Sequence, residues 1–169
     1  MTSFHAQIGP FVITGQCDAL RRMTGAQDGQ RFSVSAGLVT STDGVTWWVL
    51  ESRGVAAMAK PRQTRRDKWA KRPAVVRYRE WCNLLRRVAS PPDPNTVDSF
   101  NWMASFQFPA RWRKSLRVGG HHRQRPDRDN LDKAFLDCLW PDSDSGIAAG
   151  WIQKVWAEKN AFVVAARLG

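Results

Sequence analysis

Cysteine is scarce in this chain: Cys17, Cys82 and Cys138 are odd in number, far apart and in no Cys-x-x-Cys spacing. Neither a disulfide framework nor a zinc site is implied, and a reducing cytoplasm fits best. Long apolar runs are also missing. No stretch of about 18 apolar residues offers a membrane span, no basic amphipathic helix with a bulky apolar face offers a membrane anchor, and the first residues carry no early Lys or Arg of the kind that opens a secretory signal. Acidic residues are few, 15 Asp and Glu against 26 Lys and Arg. The net charge of +11 attracts polyanions and makes nucleic acid the expected partner.

The 169 residues suffice for one domain with its own core and a short appendage. Residues 1–44 are poor in charge, rich in Gly, Ser, Thr and Gln, and weakly patterned, with Arg31–Thr40 the one plausible strand. They read as an N-terminal extension of unassigned role, accessory or partly disordered, or as sequence ahead of a start lying further downstream. The domain proper is expected over residues 45–169. Val45–Glu51, with Trp47 and Trp48, reads as a buried strand. From Lys60 to Arg87 eleven Lys and Arg residues face only Asp67 and Glu80.

Pro73 is placed to open a helix running to Ala89, with Val75, Tyr78, Cys82, Leu85 and Ala89 as its buried stripe and Arg79, Arg86 and Arg87 towards solvent. Ser90-Pro-Pro-Asp-Pro94 ends it. Val97–Phe108 alternates as a strand with Phe100, Trp102, Ala104, Phe106 and Phe108 on one face. Gly150–Ala157 and Ala161–Leu168 read as two strands joined by a Glu-Lys-Asn turn. The expected fold is α+β, a small mixed sheet packed with about two helices. The nine Trp residues are expected to fill the sheet core or a dimer interface.

One acidic cluster interrupts the basic chain: Arg125-Pro-Asp-Arg-Asp-Asn-Leu-Asp-Lys133. After Pro126 an extended backbone would turn Asp127 and Asp129 to one side, towards a single ion. A helix follows, with Leu131, Ala134, Phe135, Cys138 and Leu139 as its stripe. The plainer reading is that Asp129 is its N-cap, Asp132 completes a capping box and Asp127 makes an Asx turn. Lys133, one turn beyond Asp129, reaches either the carboxylates or, in a surface salt bridge, Asp137. The loop Trp140-Pro-Asp-Ser-Asp-Ser-Gly146 returns Asp142 and Asp144, as a third ligand source or as plain turn composition. Three Asp residues suffice for Mg²⁺, which keeps several waters.

Lys60-Pro-Arg62, Thr64-Arg-Arg-Asp-Lys-Trp69, Arg72-Pro73, Pro126-Asp-x-Asp-Asn-Leu-x-Lys133, Asp137, and Asp144-x-x-Ile147 followed by Lys154 together resemble the RusA family of crossover-junction endodeoxyribonucleases, in its phage-type form. The resemblance covers roughly Val45–Leu168. It implies a small α+β fold, a homodimer, Mg²⁺ dependence with Mn²⁺ as a substitute, no organic cofactor, and paired nicks across a four-way DNA junction in recombination and repair, in a cytoplasmic, nucleoid-associated setting. It places metal-binding carboxylates at Asp127, Asp129 and Asp144 and a catalytic Lys at Lys133. His122 matches a commonly seen His, for DNA contact or site packing.

Two departures stand out: Ser143 precedes Asp144 where paired acids are usual, so Asp142 substitutes or a second metal is weaker, and Arg125 stands where Lys is usual. Lys60, Arg62, Arg65, Arg66, Lys68, Lys71, Arg72, His122 and Arg125 are the expected DNA contacts, with Trp69, Tyr78 and Trp81 interleaved as stacking platforms or core. The alternative is a non-catalytic, structure-specific DNA-binding module whose carboxylates only cap and orient elements.

Overall fold

The computed structural model describes residues 2–27, 29–61, 72–96, 100–110, 118–142, 146–147 and 149–168. Eight strands and two helices form a mixed α+β domain: β1 (Thr2–Ile8), β2 (Phe11–Cys17), β3 (Arg21–Gln27), β4 (Gln30–Ser41), β5 (Thr46–Arg53), α1 (Pro73–Ala89), β6 (Phe100–Pro109), α2 (Arg128–Leu139), β7 (Ala149–Ala157) and β8 (Ala161–Leu168). All strands join one curled sheet in the order β1-β2-β4-β5-β8-β6-β7, with β3 also paired to β4.

The central strands are buried on both faces, which is why β5 and β8 read as apolar runs rather than as alternating strands. On one face Trp48, Leu50, Trp102, Phe106, Phe162 and Val164 meet the two helices. On the other, Val39, Val49, Met103 and Ala165 are covered by Phe4, Ala6, Ile8 and Ile13. Residues 1–44 are therefore not an appendage to the core. They supply four strands, and the residue 44/45 boundary falls in the turn joining β4 to β5, which pair from Ser33↔Arg53 to Thr40↔Thr46. The β1–β2 hairpin closes over the second face, and Gly9, at φ +60°, lies so close to the Trp151 ring that a Cβ there would collide with it.

Both helices form where the apolar spacing places them. The α1 stripe of Val75, Tyr78, Cys82, Leu85 and Ala89 is buried, joined by Trp81 and Val88, and Ser90 leaves the helix in a left-handed conformation ahead of Pro91 and Pro92. Leu131, Ala134, Phe135, Cys138 and Leu139 bury the α2 stripe. The helices touch through the Tyr78 hydroxyl, which donates to the Ala134 carbonyl (3.1 Å), and through an edge-to-face contact of Trp81 with Phe135 (4.8 Å). Tyr78 and Trp81 thus belong to the core and have no face to offer a base; Trp69 lies outside the described residues. Four buried indoles each find an acceptor: Trp48 donates to Ala89 O, Trp81 to Ala56 O, Trp140 to Pro92 O and Trp102 to Asp132.

The two strands expected at the carboxyl end and their turn are present. The Glu158–Asn160 turn joins β7 to β8, yet these strands are not neighbours: β6 lies between them, parallel to β7 and antiparallel to β8. β6, α2 and β7 therefore form a parallel crossover unit, with α2 as the return path. No helix among the described residues is long and apolar enough to cross a membrane.

Because Ile8 is fully buried under the hairpin, Ile8→Ala is expected to cost about 2–5 kcal/mol of unfolding free energy, measured by urea denaturation. A neutral result would detach the N-terminal strands from the core.

Candidate functional site

The segment entering α2 runs beside β7. His121 bridges Val155, and the His122 amide donates to the Lys154 carbonyl at 2.9 Å. The His122 ring is buried, with its centroid 4.6 Å from that of Phe108 and 4.1 Å from that of Trp156. Of the two roles expected of it, packing is the one the structure displays; a ring so enclosed has no surface for a phosphate. Arg123, Gln124 and Arg125 follow on the surface, and the Arg125–Pro126 bond is cis.

Asp127, at φ −67° and ψ 145°, is extended as expected after proline, but it is also the N-cap of α2. Asp129 is therefore inside the helix, at its second position, and Asp132 at its fifth. Both the extended Asp-x-Asp geometry and the capping box led by Asp129 are corrected by this register: the Asp127 carbonyl already accepts the Leu131 amide at 3.1 Å, so the helix begins two residues earlier. The Asp127 side chain makes no capping hydrogen bond. Both carboxylates are exposed, and among the described residues the Asp129 side chain, 87% accessible, pairs with the neighbouring Arg128 alone, at 3.2 Å. A surface pair of that kind holds little. The positive end of the helix favours two such anions by about 0.3–1 kcal/mol each.

Asp132 turns inward. It is half-buried and accepts the Trp102 indole N–H at 2.7 Å. Burial raises its pKa above the ordinary carboxylate value and Asp129 adds to the rise, while the Trp102 bond and the Arg128 charge oppose it. Lys154, on β7, is half-buried and donates to the carbonyls of Gln124 (2.7 Å) and Pro126 (2.5 Å). Burial lowers its pKa, partly offset by attraction to Asp127.

Lys133 is exposed and forms no ion pair with a described residue, because its expected surface partner Asp137 is held by Lys60 at 2.6 Å. Lys60, expected to meet DNA, thus spans from the segment after β5 to α2. Arg72 is exposed and its carbonyl accepts the first amides of α1. Arg62, Arg65, Arg66, Lys68 and Lys71 lie outside the described residues, as do Ser143 and Asp144. Asp142 sits exposed on the turn after α2.

Among the described residues no three His, Cys, Asp or Glu side chains cluster as a metal cage. Asp127 and Asp129 nonetheless suit Mg²⁺ in chemistry, being hard, water-exposed oxygen donors, and that ion needs only one or two carboxylates beside waters and substrate phosphate. Arg123, Arg125, Arg128 and Lys133 neighbour them in sequence, all exposed, and Arg128 touches Asp129. Sequence reasoning missed what Lys154 and the Trp102–Asp132 pair do. The available signal was a charge inside an otherwise apolar strand and an Asp one position after a stripe residue.

No family model, curated protein or solved structure matches the chain.

The environment of Asp132 gives a pH test. A carboxyl whose pKa is raised by folding contributes stability that is present below its unfolded pKa and lost as pH rises through the folded one. Asp132→Asn keeps an acceptor for the indole and removes the charge. It is expected to melt about 1–3 °C above the parent at about pH 7.5, with the gap closing towards about pH 4; a lower melting point at the higher pH would show that the buried charge is favourable.

Proposed function

We propose that this protein is a Mg²⁺-dependent, structure-specific DNA endonuclease of the RusA type, nicking four-way junctions and related branched DNA in the cytoplasm. The observation that carries the reading is the exposed pair Asp127 and Asp129 at the start of α2, one of them in a capping position without capping, with exposed Arg and Lys residues on either side in the sequence and a net charge of +11. A stabilising role for the pair would have used the Asp127 oxygen on the helix amides, a bond of about 0.5–2 kcal/mol.

Asp127 and Asp129 would hold the ion, with Asp144 as the third carboxylate from the loop between α2 and β7. When bound, Mg²⁺ would activate water for attack on phosphorus and stabilise charge on the phosphate oxygens. Lys133 stands one turn beyond Asp129, so its ammonium can meet the scissile phosphate and oppose charge that develops there. Arg123, Arg125 and Arg128 would hold the flanking phosphates without reading sequence. A homodimer follows from the substrate: a four-way junction has two-fold symmetry, and one site per protomer in a two-fold pair cuts opposing strands symmetrically.

The decisive experiment is cleavage of a labelled synthetic four-way junction beside the matching linear duplex, in Mg²⁺ and in EDTA. Paired nicks on the junction alone, lost in EDTA, are expected. Asp129→Asn should lower the cleavage rate by about a hundredfold or more while the junction Kd stays within about threefold. Junction binding with no metal-dependent cut by the parent protein would overturn the reading in favour of a DNA-binding module.

A further inference from the structure

Between His122, tied to β7 by its amide, and Asp127, whose carbonyl accepts the first helical amide of α2, the chain is held by very little. From Arg123 to Pro126 the only hydrogen bonds made to described residues are the two from the Lys154 ammonium to the carbonyls of Gln124 and Pro126. Those carbonyls flank Arg125, and the second belongs to the residue immediately before Asp127. Lys154 itself is fixed, because β7 is paired with β6 along its length and Lys154 lies opposite Phe106, a fully buried residue. Its own carbonyl takes the His122 amide. One residue of a rigid strand thus anchors both ends of the segment that delivers Asp127.

A lysine is an uncommon choice for bracing a loop. A half-buried ammonium loses hydration, and two neutral carbonyls restore only part of it. Asp127 lies near enough to attract the charge, so the ammonium also offsets part of the repulsion that two neighbouring carboxylates feel before an ion is bound.

We propose that Lys154 is a positioning residue of the carboxylate site, setting the Asp127 side chain for metal by holding the Gln124 and Pro126 carbonyls. The proposal rests on the metal-site reading above, and its test separates the two. Lys154→Met keeps the apolar stem and removes the donors; Lys154→Arg keeps donors and charge. Hydrogen exchange of the 119–130 peptide reads the tether directly, without metal or DNA. Faster exchange confined to that peptide in Lys154→Met, reversed in Lys154→Arg, is expected. Unchanged exchange, or exchange faster across the whole chain, would overturn the proposal.

Mn²⁺ binding to the protein alone, read by electron paramagnetic resonance, tests the consequence. Lys154→Met should weaken it by about tenfold to a hundredfold, as loss of a group that orients a ligand typically does, and Lys154→Arg should return it to within about threefold of the parent. Parental Mn²⁺ affinity in Lys154→Met would also overturn the positioning role. If the parent binds no Mn²⁺, the metal-site reading fails and the positioning role towards metal falls with it, whereas the exchange result still decides whether Lys154 orders the segment.

Discussion

Strands that lie side by side and run the same way cannot be joined by a tight turn, so the parallel pairing of β6 with β7 obliges the chain to travel back across the sheet between them. α2 is that return. Its stripe rests on Phe106 and Phe162 through Phe135, and its last turn leads to Trp140, whose ring meets Phe100 and Trp102 edge-on. The segment leading into the helix is thereby brought beside β7, where it meets Lys154. The position of Asp127 and Asp129 is a consequence of that crossover.

The same sheet explains why the amino-terminal third belongs to the molecule. A sheet with helices on one face leaves the other to water unless something covers it, and here the uncovered face would be Val39, Val49, Met103 and Ala165. The β1–β2 hairpin supplies Phe4, Ala6, Ile8 and Ile13 to that task, on alternate positions, with Ser3, His5, Gln7 and Thr14 turned outward. Its turn at Gly9 and Pro10 seats the hairpin end on Trp151, which lies on the edge strand β7 beside β6. One face therefore holds the helices and the other the hairpin, and the site-bearing strands are clamped between them.

How much of this was legible varied with how strongly one physical signal dominated. α1, α2 and β6 were readable because bulky residues recur at helical or alternating periods over ten residues or more. β1 and β2 were not, since Phe4, Ala6, Ile8 and Ile13 are few and are set among residues that equally suit loops. The hydrophobic partner that makes strands of them lies far along the chain. The α2 start was misplaced by two residues because Asp127 and Asp129 are both competent caps, and only the neighbouring backbone, tied to β7, decides the register. β7, β8 and the turn joining them were readable, whereas the placing of β6 between them depends on the crossover. The resemblance picked out Asp127, Asp129 and Lys133 as residues; that Asp137 is occupied by Lys60, leaving Lys133 without an ion pair among the described residues, depends on a segment 77 positions away in sequence.

A protein with eleven more positive than negative charges has ample means to neutralise two surface carboxylates, and among the described residues it does so through one surface contact, Arg128 with Asp129. Lys154, the ammonium that attracts Asp127, directs its hydrogens to main-chain carbonyls, and among the described residues Asp129 meets its neighbour Arg128 alone. Such a pair opposes the approach of phosphate at the same place where the surrounding Arg and Lys side chains invite it. On the proposed reading the conflict is resolved by the ion. A divalent cation bound to the pair reverses the local sign, so phosphate and metal each strengthen the other's binding, and by linkage they must do so by the same factor. The basic rim alone would hold DNA without distinction. On that reading the most favourable seat for a phosphate would be conditional on the metal, and the group at that seat would be the one Lys133 can reach.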